Sequence, residues 1–153
     1  MIKITSGLDH IEQTKQLIME YLTELDIDLT FQHVDKELND LAATYRLPQG
    51  RLYIAFDNNL PIGCVGLKPL NKRTGEIKRL YVKPSYRKQH IGNLLMTQLL
   101  DEAKIIGYQQ LYLDTLTSLH QAISLYQKLG FKEVPPYYDN PLEGVIYFKL
   151  EIN

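Results

Sequence analysis

Two stretches of this chain carry residues whose types and spacing suit chemistry. The first is Glu76-Ile77-Lys78-Arg79-Leu80-Tyr81-Val82-Lys83-Pro84-Ser85-Tyr86-Arg87-Lys88-Gln89-His90-Ile91-Gly92-Asn93-Leu94-Leu95. It reads as a strand, a tight polar loop and the start of an amphipathic helix. Such a junction leaves backbone N–H groups unpaired at the positive end of the helix dipole, where a phosphate or pyrophosphate is well placed. Gly92 lets the backbone approach a ligand closely, and Arg87 and Lys88 add positive charge beside it. Many basic strand-to-helix loops bind nothing, so alone this stretch leaves both outcomes open. The second is Ala122-Ile123-Ser124-Leu125-Tyr126-Gln127-Lys128-Leu129-Gly130-Phe131, which alone reads as a plain amphipathic helix capped by glycine, with Tyr126 in the core.

The elements that must position these residues follow from hydrophobic periodicity. Leu8, Ile11, Ile18, Tyr21, Leu22 and Leu25 share one face of a first helix. Val34, Leu38, Leu41, Ala42 and Tyr45 mark a second, ended by Pro48-Gln49-Gly50. Residues 52–56, 62–67 and 76–82 read as three successive antiparallel strands, separated by the polar turns Asp57-Asn58-Asn59 and 71–75. A helix from about His90 buries Ile91, Leu94, Leu95, Leu99, Ala103 and Ile106 and ends at Gly107. A strand at 111–113, the helix ending at Gly130, and strands at 131–134 and 145–151 complete the chain, with a weak first strand at 2–5. The order ααβββαβαββ, without repeats or linkers, predicts one mixed α/β domain over 1–153.

Bulk properties narrow the function. Seventeen basic against 18 acidic residues leave a net charge of −1, so no broad nucleic-acid footprint is expected. Cys64 is the one cysteine and sits in an apolar run, which fits a buried core thiol in a reducing compartment. The N-terminus turns polar at once, and no apolar run approaches the roughly 18 residues of a membrane span. A cytoplasmic protein without membrane contact is expected. His10, His33, His90 and His120 are scattered without metal-ligand spacing, so no metal is expected. No Gly-rich dinucleotide fingerprint or Walker loop supports a nucleotide-binding regulator.

In this order and separation, the two stretches resemble the GNAT superfamily of acyl-CoA N-acyltransferases, in a small bacterial single-domain type. Arg87-x-x-His90-x-Gly92 lies where that family carries an Arg/Gln-x-x-Gly-x-Gly/Ala pyrophosphate signature. Leu125-Tyr126-x-Lys128-x-Gly130-Phe131 is similar to its second motif, and Pro135-Pro136-Tyr137-Tyr138-Asp139-Asn140-Pro141 to the tail of one bacterial subgroup. The resemblance implies an α/β (α+β) fold with a mixed, mostly antiparallel central sheet flanked by helices. It implies acetyl-CoA as co-substrate and a small-molecule or peptide amine as acceptor. The backbone of Leu80, Tyr81 and Val82 would pair with the pantetheine arm. The run Arg87, Lys88, Gln89, His90, Ile91, Gly92 and Asn93 would hold the pyrophosphate. Tyr126 would be the general acid at the CoA sulfur, and Glu76 matches a position where some relatives keep a general base. Dimers are common in the family, and a homodimer is one assembly it implies. Two positions depart from the pattern: His90 replaces the first signature glycine, and Leu119 stands where many relatives have an asparagine that contacts CoA. That contact is absent here or made by Ser118 or His120.

Acetyl transfer requires a neutral amine, a polarised thioester carbonyl and a proton for the departing thiolate. A lysine-like amine of pKa near 10.4 is neutral about once in two thousand at pH 7, whereas an α-amino group is neutral roughly one time in ten. The demand on Glu76 thus depends on the acceptor. The competing expectation for Glu76 is a surface ion pair with Lys78 on the same strand face. Asp26 and Asp28 beside Glu24 form either a solvated loop or an attraction for a cationic acceptor. Tyr137, Tyr138 and Asp139 either wall an acceptor pocket or cover a sheet edge. No Ser-His-Asp order or reactive-cysteine context suggests an acyl-enzyme, so direct transfer is expected. The rival function is an acyl-CoA-binding regulatory module with little turnover.

Overall fold

The computed structural model describes residues 1–26 and 33–152. In chain order the elements are β1 (Ile2–Ser6), α1 (Ile11–Leu25), α2 (Val34–Asn39), α3 (Leu41–Thr44), β2 (Arg51–Asp57), β3 (Leu60–Pro69), β4 (Thr74–Val82), α4 (Ile91–Ile106), β5 (Gln110–Leu116), α5 (His120–Lys128), β6 (Lys132–Val134) and β7 (Val145–Glu151). The strands form one sheet of order β1-β2-β3-β4-β5-β7-β6. Every neighbouring pair is antiparallel except β4 and β5. This is the mixed, mostly antiparallel sheet flanked by helices that was expected.

Helices cover both faces. On one, Ile91, Leu95, Leu99 and Ala103 of α4 pack with Ile62, Leu67, Leu111 and Phe148 of the sheet. On the other, Leu17 and Ile18 of α1 and Leu41 of α3 pack with Leu52, Ile54 and Cys64. Leu94, expected in the α4 stripe, is instead exposed, and Met96 takes the buried place. Cys64 is a core thiol whose Sγ meets the Arg79 carbonyl at 3.4 Å, and burial pushes it up to about 12.

Two local departures from the periodicity have physical causes. The expected weak strand at 2–5 is a full edge strand, because Ile2 through Ser6 pair with Asp57 through Tyr53. The single helix expected over 34–45 is broken at Asp40, whose non-helical backbone ends α2 and whose carboxylate accepts from Ala43 N at 3.0 Å to start α3. Gly107 ends α4 with a φ of 106°, a conformation that favours glycine.

Candidate active site where two strands part

The parallel ladder between β4 and β5 is short. It joins Thr74 to Gln110, Gly75 to Leu111 and Glu76 to Tyr112, and then stops. Beyond Glu76 the two strands part, leaving 77–82 of β4 without a β5 partner. Pairing with β3 explains the bend. Cys64 opposes Tyr81 and Gly66 opposes Lys78, so Arg79 and Leu80 together face one residue, and Arg79 takes a φ of 63°. Such a bulge bends and twists the strand that carries it. The unpaired edge includes Leu80, Tyr81 and Val82, the residues expected to meet a pantetheine arm.

A buried cluster fixes the bulge. Arg79 donates from Nε and Nη2 to the Glu37 carboxylate at 3.1 and 2.7 Å, and the Tyr45 hydroxyl donates to the same carboxylate at 2.7 Å. Burial pushes the Glu37 carboxyl up, but the Arg79 hydrogen bonds and charge outweigh it, so Glu37 is held below its ordinary value. Burial raises the Tyr45 phenol well above its usual value, and the neighbouring Glu37 adds to that. None of these three residues stood out in the sequence as part of a site.

The mouth of the cleft is the loop before α4. Lys88 and His90 both adopt left-handed backbone, with φ of 68° and 63°. The N–H groups of Lys88, Gln89, His90, Ile91, Gly92 and Asn93 make no hydrogen bond among the described residues; the ladder begins with Leu94 N to His90 O. Alternating left- and right-handed residues turn successive N–H groups into an anion-binding concavity. A Cβ at Gly92 would meet Leu125 Cδ2 at 3.4 Å, an ordinary contact, so the protein itself does not require glycine there. The left-handed turn at His90 is the physical reason a glycine suits that position, and histidine is among the side chains that tolerate it. Arg87 is already engaged: its terminal nitrogens hold Glu24 of α1 at 2.9 and 2.7 Å, and its Nε donates to Val82 O at 2.9 Å. Glu24 therefore neutralises a loop cation, Asp26 caps α1 at a φ of 49°, and Asp28 lies outside the described residues.

At the inner end of the cleft lies a cavity of about 50 Å³ lined by Tyr126, Lys78, Asp114 and Asn140, among others. Tyr126 packs against Phe131 and Phe148, with ring centroids 5.9 and 6.1 Å away, and its hydroxyl makes no hydrogen bond among the described residues. Burial, with smaller effects from Tyr21 and Asp114, raises its phenol well above the ordinary value, so it stays protonated at any ordinary pH. A larger cavity of about 580 Å³ adjoins on the other side of Lys78 and holds Glu76, Lys68, Tyr112, Tyr137, Tyr138 and Asp139. Lys78 lines both.

Glu76 is buried and is not the surface ion pair expected as its alternative. The Tyr137 hydroxyl donates to Glu76 Oε2 at 2.6 Å, and Lys68 Nζ lies 3.9 Å from Oε1. Tyr138 donates its hydroxyl to Asp114 Oδ2, while Asn140 Nδ2 reaches the Tyr138 hydroxyl at 3.0 Å and Asp114 Oδ2 at 3.5 Å. Tyr137, Tyr138 and Asp139 thus wall a cavity rather than merely cover an edge. Asp114 is the carboxylate that sequence reasoning missed. Its signal was its position on the strand after α4, alternating with the buried Leu113 and Thr115. Leu119 lies at the N-cap of α5, without a side-chain cap bond. Among the described residues no group of His, Cys, Asp or Glu is arranged to hold a metal, and no helix is long and apolar enough to cross a membrane.

Known proteins are similar to this chain. Residues 12–131 match the Acetyltransferase (GNAT) family. An uncharacterized N-acetyltransferase of Schizosaccharomyces pombe is 39% identical over 154 residues, covering 99% of this chain and 93% of the relative. A GNAT-family acetyltransferase of Staphylococcus aureus superposes over 100% of both chains with a TM-score of 0.82 at 21% identity. A GNAT-family acetyltransferase of Elizabethkingia anophelis, solved with acetyl-CoA bound, matches with a TM-score of 0.59 at 32% identity, over 73% of this chain and 82% of that one.

Proposed function

From the premise that this chain belongs to the GNAT acetyltransferase family, whose chemistry is acyl transfer, we propose that it moves an acetyl group from acetyl-CoA to a primary amine by direct attack. The observation that carries this reading is the parted β4–β5 edge, with a run of uncommitted N–H groups at its mouth and a protonated tyrosine at its inner end. These residues fit the group. The N–H groups from Lys88 to Asn93, at the positive end of α4, suit the diphosphate, with Lys88 beside them. The open edge at Leu80, Tyr81 and Val82 suits the amide-bearing arm as an added strand. Arg87 joins the cradle by exchanging Glu24 for phosphate oxygens, the bidentate geometry being the same. Bound there, acetyl-CoA supplies the thioester.

The chain's own residues then handle protons. Tyr126 donates its phenolic proton to the departing sulfur, and burial keeps that proton on the oxygen until the transfer. A carboxylate takes the proton that the amine loses. Glu76 is that carboxylate by the resemblance, and Tyr137 and Lys68 hold it in place. A specific observation favours Asp114 as the second candidate, because Asp114 shares the inner cavity with Tyr126 whereas Glu76 lines only the outer one. The pH–rate profiles of Glu76→Gln and Asp114→Asn separate the two: the base is the one whose replacement removes activity at low pH and returns part of it as the amine deprotonates unaided.

The rival, a domain that holds acyl-CoA without turnover, needs no proton donor at the sulfur. The test is release of free thiol from acetyl-CoA across a mixed panel of amines. Release above the acceptor-free rate supports transfer; tight acetyl-CoA binding with no release from any amine supports the binding module.

A further inference from the structure

We infer that Tyr21 orients the attacking amine: its hydroxyl oxygen accepts the N–H that the amine keeps, while a carboxylate takes the proton that the amine loses. The inference rests on the transfer reading above and adds to it a residue from α1. A neutral primary amine has two N–H bonds and one lone pair. The lone pair forms the C–N bond as the C–S bond breaks, one proton goes to the carboxylate, and the other N–H stays in the amide. Holding both N–H groups aims the lone pair, and that takes two acceptors. The sheet supplies the geometry. Tyr126 belongs to the core on the α4 face, and Tyr21 packs with the core on the α1 face. Both line the inner cavity, so they reach the gap between β4 and β5 from opposite sides. Ile77 and Leu113 lie in the α4-face core, so their neighbours Glu76 and Asp114 fall on the α1 face. The sulfur's proton donor is thus on one side of the gap, and both candidate bases share the other side with Tyr21.

Among the other polar side chains that line the inner cavity, none is as well placed to accept that second N–H. Asn140 spends its amide nitrogen on Asp114 and Tyr138, and its oxygen accepts from Leu142 N at 3.0 Å. Thr115 follows Asp114 and falls with Leu113 on the α4 face. Lys78 is a donor on which Glu76 and Asp114 already act. The Tyr21 hydroxyl makes no hydrogen bond among the described residues. It is also open to the cavity, because no sealed side-chain oxygen there lacks a partner. Its ring lies against the Tyr81 ring on the open β4 edge, with centroids 5.8 Å apart, which fixes where the hydroxyl stands. Burial pushes the Tyr21 phenol up to about 12, while Arg79 lowers it and Asp114 raises it. The group therefore stays neutral, and its oxygen keeps lone pairs for an N–H.

The test compares each primary amine that releases thiol from acetyl-CoA with its N-methyl derivative, in a panel headed by glycinamide with sarcosinamide and benzylamine with N-methylbenzylamine. An N-methyl amine has a single N–H, which it gives to the carboxylate, so nothing remains for Tyr21 to hold. In the wild type the primary amine should exceed its N-methyl derivative by about tenfold or more in kcat/KM, the scale of one hydrogen bond. In Tyr21→Phe the primary amine should lose about tenfold and the N-methyl amine little, which brings the ratio towards one. The acetyl-CoA Kd should stay within about twofold of wild type. Melting curves establish folding; if Tyr21→Phe does not fold, Tyr21→Met replaces it, and if neither folds the wild-type ratio decides. A wild-type ratio near one overturns the inference and leaves transfer standing. So does a folded variant that slows both amines equally, the mark of a structural role, or that slows neither. Thiol release from no amine of the panel overturns the transfer reading, and the inference with it.

Discussion

The two ends of the cleft are built from different materials. The mouth is backbone: consecutive N–H groups from Lys88 to Asn93 at the start of one helix, shaped by left-handed turns at Lys88 and His90. The inner end is side chain: Tyr126 from α5, Lys78 and Glu76 from β4, Asp114 from β5, and the 137–140 segment that folds back over them. A backbone cradle depends on a local conformation and accepts almost any side chain that leaves the space clear. A side-chain pocket depends on contacts between segments far apart in the chain, and one atom can change its chemistry. On the proposed reading, the same protein recognises a general group at one end and a particular one at the other.

The sharpest way to separate the ends is Tyr126→Phe. The ring keeps its packing against Phe131 and Phe148 and loses only the donor. We expect kcat to fall by about 10²-fold or more while the acetyl-CoA Kd changes by less than about twofold, as for an interaction made mainly in the transition state. Wild-type turnover in the folded variant would return Tyr126 to a core role.

Next in size is the buried cluster that fixes the bulge between the ends. Glu37→Gln leaves Arg79 buried without its counter-charge and should cost about 3 kcal/mol or more in denaturant unfolding. The pH dependence has a definite sign. Because the folded-state carboxyl lies below its unfolded value, the contribution of Glu37 is complete above about pH 4.3 and is lost as the pH falls below it. The wild type should therefore lose stability in that acid range more steeply than Glu37→Gln. Equal slopes would mean that the Arg79–Glu37 pair does not anchor the bulge.

The backbone end is probed by Gly92→Glu. The Cβ has room, so the melting temperature should change little, while bulk and negative charge in the cradle should weaken acetyl-CoA about a hundredfold, or about 2.7 kcal/mol. Undiminished binding in the folded variant would move the cradle elsewhere. The smallest effect is His90→Gly. It relieves about 1–2 kcal/mol of left-handed strain against about 0.5–1 kcal/mol of glycine entropy, for a net gain of at most about 1.5 kcal/mol by denaturant unfolding. A clear loss of stability would show that the His90 side chain makes a contact worth more than the strain.

The same division explains what was legible in the sequence. The strand, loop and helix around Arg87 and Gly92 are contiguous, so their spacing announces the cradle. The Leu125-Tyr126 helix and its glycine end are likewise local. The Asp40 break in the second helix was missed because apolar spacing continues across it, while the cap bond to Ala43 decides the geometry. The candidate catalytic face was mostly hidden. Arg79 meets Glu37 across 42 residues, Tyr137 meets Glu76 across 61, and Tyr138 meets Asp114 across 24. No periodicity in one stretch signals a partner so far away. The bulge was hidden too, since Glu76 to Val82 alternates like any strand until its register with β3 is known.

The central claim, that this cleft holds acetyl-CoA by the α4 loop and the open β4 edge, is tested most directly by the melting temperature of the wild type with and without acetyl-CoA. At a ligand concentration about 100-fold above Kd, binding to the native state should add roughly 2.7 kcal/mol and raise the melting temperature accordingly, and Gly92→Glu should lose that rise at the same concentration. A melting temperature unmoved by millimolar acetyl-CoA would contradict the account.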